Sequence, residues 1–273
     1  MKFKIAFSIS IVFMILLVSC AQQEHIIEQA SENQVKNADI LKNGDTSGIE
    51  TQEVNYDTAT GFLAMPKEQG IYPAMVMIHE WWGLNDNIRA MAKQLAAEGY
   101  VVLAVDLYNG EVAADSPQAG QLASKVRGNP DPALENLKAA VEFLRNREDV
   151  IPEKIASLGW CFGGGMSLQL ALTGTPLAAT IIYYGSLETN ATRLSAIKQP
   201  VLGIFGGKDT GIPVATVLEF NETLGKIGVP RDVYIYPDVG HAFASPSGAN
   251  YAPEETIDAW EKTLGFLAEN LKR

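Results

Sequence analysis

The first sign of chemistry in the sequence is a cysteine set between glycines, Gly159-Trp-Cys161-Phe-Gly163, with Gly164 and Gly165 following. A short apolar run from Ile155 leads in, and a helix-like stretch, Met166 to Leu172, leads out. A strand that turns at once into a helix forces the residue at its tip into strained backbone. Side chains two positions before and after that tip would collide, so both positions call for glycine. The start of the helix then aims free N–H groups and a partial positive charge at the thiol and at any oxyanion formed beside it. A glycine-rich turn around a buried, inert cysteine is the simpler reading. What separates the two is whether a base and an orienting acid lie within reach.

A thiol nucleophile needs a base, and the base needs a group to hold it. The chain has 3 histidines. His25 lies in a polar N-terminal stretch and is idle. His241, in Pro237-Asp-Val-Gly-His241-Ala-Phe243, follows the last expected strand and precedes the last expected helix. The Gly-x-Cys-x-Gly turn is the nucleophile elbow of the α/β-hydrolases with sulfur in place of oxygen, and chain order there runs nucleophile, acid, histidine. Val201–Phe205 is the intervening strand and Gly206-Gly-Lys-Asp209 follows it, which makes Asp209 the acid. Asp238 is the alternative acid. Asp106, also at a strand's carboxyl end, precedes the nucleophile and reads as a turn or N-cap residue. Glu80 ends an apolar strand, where a carboxylate is costly unless solvated or paired. It is either a carboxylate beside the thiol or a salt-bridged strand end. His79 faces away from it by strand alternation and reads as structural. Trp81, Trp82, Tyr108, Tyr184 and Phe243 could line an apolar pocket, although singly each such residue is more often core.

The elements that would position these groups alternate between strand and helix. Glu50–Tyr56 and Gly61–Met65 read as an edge hairpin, and Ala74–Ile78 as a strand buried on both faces. Asn85–Glu98 has helical spacing with Gly99 as its stop, and Tyr100–Val105 is a further buried strand. Gln118–Val126 reads as a helix over the site and Pro132–Arg145 as an amphipathic helix. Ala178–Tyr184, Val201–Phe205 and Asp232–Tyr236 read as strands, with helices at Pro213–Ile227 and Pro253–Leu271. This pattern predicts an α/β fold: a mostly parallel central sheet covered by helices on both faces. Its strand carboxyl ends bring Cys161, Asp209 and His241 to one edge.

Composition fits a globular domain, with 47% hydrophobic and 19% charged residues. A net charge of −11 and no basic stripe exclude a nucleic-acid partner. The chain has 2 cysteines. Lys2 and Lys4 precede an apolar run, Ile5 to Val18, and Leu17-Val-Ser-Cys20-Ala follows. This resembles a bacterial lipoprotein signal, too short for a comfortable membrane span. The expected organisation is a signal peptide over 1–19, a polar flexible tether over 20–48 attached to the membrane through lipidated Cys20, and one hydrolase domain over 49–273. The expected location is the cell envelope, periplasmic or outer-membrane associated. Cys161 would then be a free thiol in an oxidising compartment.

His79-Glu-Trp-Trp-Gly-Leu-Asn85, Asp106-Leu-Tyr108, Gly159-Trp-Cys-Phe-Gly-Gly164, Tyr183-Tyr-Gly185, Gly207-Lys-Asp209 and Gly240-His-Ala-Phe243, in that order, resemble the dienelactone hydrolase family. The resemblance runs from about Glu50 to Arg273. It implies an α/β-hydrolase fold and a triad of Cys161, His241 and Asp209. It implies that Glu80 holds the resting thiol and accepts its proton, and that the oxyanion hole is the N–H groups of Phe162 and Trp81. It implies no metal or organic cofactor. The family's two arginines for the substrate carboxylate fall at Gly110 and Ser245 here, so both charges are missing and a bidentate clamp is lost. The expected activity is hydrolysis of a small carboxylic ester or lactone, with dienelactone itself disfavoured. The alternatives are a thioesterase or a non-catalytic, envelope-anchored binding module.

Overall fold

The computed structural model describes residues 45–273. The expected signal peptide, Cys20, His25 and most of the tether lie outside the described residues. β1 (Ile49–Tyr56) and β2 (Ala59–Pro66) form the expected edge hairpin, pairing antiparallel from Ile49↔Pro66 to Tyr56↔Ala59. β3 (Tyr72–Ile78) and β4 (Val101–Val105) are almost wholly buried apolar runs that pair in parallel. Between them α1 (Asp86–Ala97) starts where the Asn85 side chain accepts the Ile88 N–H at 3.2 Å. It stops before Gly99, whose φ of 82° suits a residue without a Cβ.

α2 (Ser116–Gly128) is capped by Asp115, which accepts the Gln118 N–H at 2.9 Å. α3 (Asp131–Arg145) buries Ala133, Leu137, Ala140, Val141 and Leu144, the spacing of one helical face. β5 (Val150–Trp160) leads into Cys161, and α4 (Phe162–Leu172) leads out. β6 (Ala179–Tyr183), α5 (Ala191–Leu194), β7 (Val201–Gly206), α6 (Val214–Lys226), β8 (Arg231–Tyr236) and α7 (Pro253–Leu271) complete the chain.

The strands form one 8-stranded sheet in the order β1-β2-β4-β3-β5-β6-β7-β8. All neighbours from β4 to β8 are parallel. From β3 the chain passes to β4 on one side and then to β5 on the other. That reversal opens a crevice at the carboxyl ends of β3 and β5, where open α/β sheets hold ligands. One core joins Leu63, Val76 and Leu103 to Leu137, Val141 and Leu144; a second joins Ile182 and Phe205 to Val217, Phe220 and Leu224. Two buried polar ties fix the elements under the site. The Ser157 and Ser167 hydroxyls, 2.8 Å apart, lock β5 to α4. The Tyr183 hydroxyl donates to the Ala259 carbonyl at 3.0 Å and pins β6 to α7.

Two boundaries and one element stand apart from the sequence reading. α4 begins at Phe162 and not at Met166, so Gly163, Gly164 and Gly165 lie inside the helix. Helix propensity disfavours such a run, but a Cβ on Gly163 would stand 2.3 Å from the Ile78 carbonyl oxygen and one on Gly164 2.6 Å from that of Tyr183. Close packing on β3 and β6 outweighs propensity here. β5 is longer than expected because Val150 pairs with Tyr72 across an irregular register before the main ladder begins. The single turn α5 was not expected; it is nucleated by Asn190, which accepts the N–H groups of Thr192 and Arg193.

Candidate active site

Cys161 stands at the tip of the β5–α4 turn with φ 53° and ψ −114°. A non-glycine residue held there costs about 1–3 kcal/mol, which the surrounding structure must overcome. It does so with the Cys161 N–H donating to the Tyr183 carbonyl at 2.9 Å and the Gly165 N–H to the Cys161 carbonyl at 3.1 Å. A Cβ on Gly159 would lie 2.2 Å from the Gly163 carbonyl oxygen, so the flanking glycines are sterically required.

His241 Nε2 lies 3.0 Å from the Cys161 sulfur. Its Nδ1 lies 2.7 Å from Asp209 Oδ2. An ionised carboxylate only accepts, so Nδ1 carries the proton and Nε2 faces the thiol as an acceptor. The other Asp209 oxygen accepts the N–H groups of Gly211 at 2.8 Å and Ile212 at 3.0 Å. The carboxylate therefore has one edge satisfied by backbone and one edge left for the imidazole. Asp238 is not its rival: it pairs with Lys208 at 3.1 Å on the exposed surface. Asp106 has the turn role expected of it, with Oδ1 accepting the Tyr108 N–H at 2.8 Å and Oδ2 accepting the Gly110 N–H.

Glu80 is buried, and its Oε2 accepts the Ser245 hydroxyl at 3.1 Å. The expectation that it holds the resting thiol needs correction: the hydrogen-bond partner of the Cys161 sulfur is His241. Ser245 thus supplies the donor for the carboxyl on that side of the crevice. Burial pushes Glu80 above the usual carboxylate range, opposed by Ser245 and His241. Glu80 still acts on the sulfur through space. The Cys161 thiol is pushed up to about 12, first by burial and next by the Glu80 charge, against the pull of the Phe162 N–H and of Arg127. The sulfur is thus a neutral thiol at ordinary pH, poorly reactive toward oxidants until a base takes its proton.

The Phe162 N–H is directed at the sulfur from the start of α4. Trp81 follows Glu80 in the β3–α1 loop, which Gly83 allows to turn with φ 95°. A Cβ at Gly83 would stand 2.5 Å from the Glu111 carbonyl oxygen, and the Ala113 N–H donates to the Trp82 carbonyl at 2.9 Å. The loop carrying Trp81 is thereby tied to the segment that leads into α2.

His79 is wholly buried. Its Nε2 accepts the Leu107 N–H at 3.2 Å and its Nδ1 lies 2.6 Å from the Glu80 carbonyl oxygen. Burial lowers its basicity, and both nitrogens are occupied, Nε2 by the loop after β4 and Nδ1 by the neighbouring Glu80 carbonyl. Of the aromatic residues expected to line a pocket, Tyr108 borders a cavity of about 180 Å³ beneath α2. Tyr184 borders a small crevice shared with Glu80, Trp160 and Ser245, and its ring lies 5.3 Å from that of His241. Phe243 is a correction: it is fully buried, packed against Tyr184 and Tyr236, and forms core and not wall. Trp82 is half-buried against Trp81 at 5.1 Å and borders neither cavity. Sequence reasoning missed Ser245 as the partner of Glu80. It also missed Arg127, at the end of α2, whose guanidinium lies 5.8 Å from the centre of the Phe162 ring. The one available signal for Arg127 was the helix expected over the site, Gln118–Val126, which stops one residue short of it.

A candidate carboxymethylenebutenolidase of Saccharolobus solfataricus is 31% identical over 260 residues, covering 79% of this chain and 97% of that protein. Protein usf of Aquifex pyrophilus is 32% identical over 225 residues, covering 80% of this chain and 96% of that one. Among solved structures, a dienelactone hydrolase-like promiscuous phosphotriesterase from metagenomic libraries superposes with a TM-score of 0.76 at 24% identity, covering 82% of this chain and 99% of that one, a likeness of fold alone. The family model described as the dienelactone hydrolase family matches residues 59–271, which include the β3 loop, the cysteine turn and the Asp209 and His241 loops. With that match over most of its length, the chain belongs to the dienelactone hydrolase family, and it is a hydrolase.

Proposed function

We propose that this hydrolase cleaves small carboxylic esters or lactones through a thioester on Cys161. The observation that carries the reading is the unbroken line from Asp209 through His241 to the sulfur, at 2.7 and 3.0 Å. His241 Nε2 takes the thiol proton as Sγ adds to the carbonyl carbon. Asp209 holds the imidazole in the tautomer that permits this and steadies the cation formed. The oxyanion is received by the Phe162 and Trp81 N–H groups, as helix-start and loop donors serve in related chemistry. Collapse breaks the carbon–oxygen bond. The leaving alkoxide takes the proton from Nε2 and departs as the alcohol, or stays tethered in a lactone. Water then gives a proton to Nε2, adds to the thioester carbonyl, and releases the acid with the thiol restored.

Glu80 fits this scheme as the group that keeps the thiol protonated between turnovers. Its charge raises the cost of forming a thiolate in an empty site. The names of the relatives, candidate carboxymethylenebutenolidases, support a lactone or ester carbonyl as the target.

Turnover of p-nitrophenyl acetate by the full chain, beside its Cys161→Ala variant, tests the reading. The variant is expected to lose at least roughly a thousandfold in kcat/KM, nucleophile removal elsewhere costing about 10⁶ in kcat. Equal rates would mean that the sulfur takes no part, and would favour a binding module on this fold.

A further inference from the structure

The loop after β8 brings two side chains to the site, and His241 is only the first. Ala242 turns the backbone with φ 59°. Phe243 then enters the core, where its carbonyl accepts the Ala252 N–H at 2.9 Å. Ser245 follows, 5% exposed. Its N–H donates to the Ala242 carbonyl at 3.1 Å, and its own carbonyl accepts the Gly248 N–H at 2.9 Å. Held in that turn, its hydroxyl donates to Glu80 Oε2 at 3.1 Å. Among the described residues no other group donates to that carboxyl. The Tyr184 hydroxyl borders the same small crevice but has no partner in it. A buried carboxyl keeps its charge only where a donor or a cation supports it, so Ser245 decides how readily Glu80 ionises.

The register of the sheet sets this carboxyl beside the sulfur. Ile78 of β3 pairs with Gly159 of β5. The residues two positions further on, Glu80 and Cys161, therefore leave the sheet edge side by side. Trp160 pairs with Tyr183, which brings Tyr184 to the same level on the other flank of Cys161. An ionised Glu80 opposes a second negative charge on its neighbour. We propose that Ser245 is a positioning residue: its hydroxyl keeps Glu80 ionised and in place, and Glu80 in turn keeps the Cys161 thiol protonated. This rests on the reading of Cys161 as the nucleophile and adds the residue that sets its resting state. The other titratable groups that face the pair are His241, Asp209 behind it, Arg127 at the end of α2, and Tyr108 and Tyr184, which burial holds neutral. His79, on the same strand end as Glu80, is also neutral through burial.

Alkylation of Cys161 by iodoacetamide across neutral and alkaline pH tests the assignment. The full chain is used and modification is read on the Cys161 peptide by mass spectrometry, since Cys20 is a second thiol in the sequence. Without the hydroxyl, Glu80 takes up a proton more readily and no longer opposes the thiolate. The rate at neutral pH is therefore expected to rise about tenfold in Ser245→Ala, the effect of moving the thiol down by about one pH unit. Ser245→Thr keeps a hydroxyl and is expected to restore the original profile. In Glu80→Gln the rate should already be raised, and adding Ser245→Ala should change nothing. A general loosening of the loop would instead speed alkylation in both backgrounds. Circular dichroism checks the fold of each variant. An unchanged profile in Ser245→Ala, or an equal rise in the Glu80→Gln background, overturns the proposal. So does a Glu80→Gln profile like that of the parent chain, because Ser245 would then have no charge to position. The readout needs no turnover: a chain without esterase activity that shows the expected pattern would remove the hydrolase reading and keep the role of Ser245.

Discussion

Asp209→Asn is expected to lower kcat/KM for p-nitrophenyl acetate by about 10³- to 10⁴-fold, the loss seen when a triad acid becomes its amide. The reason is in the hydrogen bonds. Asp209 Oδ1 is claimed by the N–H groups of Gly211 and Ile212. An asparagine must keep its oxygen on that side, so its NH₂ group faces His241. The imidazole then offers a lone pair at Nδ1 and carries its proton on Nε2, against the sulfur. In that tautomer it has no site to receive the thiol proton. The backbone bonds survive, so the urea midpoint is expected to move little, and the loss should fall on kcat. A variant with full activity would show that the acid does not set the tautomer.

The second large effect is on stability. Gly163→Ala is expected to cost about 4 kcal/mol or more, in the range of severe single substitutions. The new Cβ would stand 2.3 Å from the Ile78 carbonyl oxygen and 2.5 Å from that of His79, backbone atoms at and just past the end of buried β3 that have nowhere to go. Gly265→Ala is the internal comparison. It lies inside α7 with nothing within 4 Å of its Cβ position, and should gain about 0.5–1 kcal/mol from helix propensity. Urea unfolding of both variants measures the contrast. Equal stabilities would mean that α4 does not press on β3 as described.

Those two substitutions also show what the sequence makes legible. The pattern Gly-x-Cys-x-Gly dictates a backbone shape, and so predicts a turn of this kind without any knowledge of its neighbours. The order of Asp209 and His241 after it, each following a strand, places them on the same sheet edge because parallel strands all end there. The start of α4 was less legible, because the force that holds Gly163–Gly165 helical is contact with β3 and β6, strands distant in sequence. Phe243 is ambiguous in the sequence for a similar reason: an aromatic beside His241 could face cavity or core, and only the positions of Tyr184 and Tyr236 decide. Glu80 shows the limit most clearly. Its place at a strand end is visible in the sequence, but its partner Ser245 lies 165 residues away. Arg127 was legible only as one charge on an exposed helix, since its direction depends on where Phe162 stands.

The thiol's environment gives the site its character. A sulfur pushed up to about 12 is protonated across the whole neutral range. On the proposed mechanism, nucleophilicity is produced at the moment of attack by His241, with the oxyanion donors favouring the charge that leaves the sulfur. Burial and Glu80 thus work against the free thiolate, and the hydrogen bond from the Phe162 N–H works for the bound, reacting form. An acyl group should therefore appear on this sulfur only when an ester is in place.

Rapid acid quench of the full chain during turnover of p-nitrophenyl acetate, followed by peptide mass spectrometry, reads that event directly. The account predicts an acetyl group on the Cys161 peptide, removable by neutral hydroxylamine and absent in Cys161→Ala. Turnover with the acetyl group on another residue, or with none reaching Cys161, would contradict it.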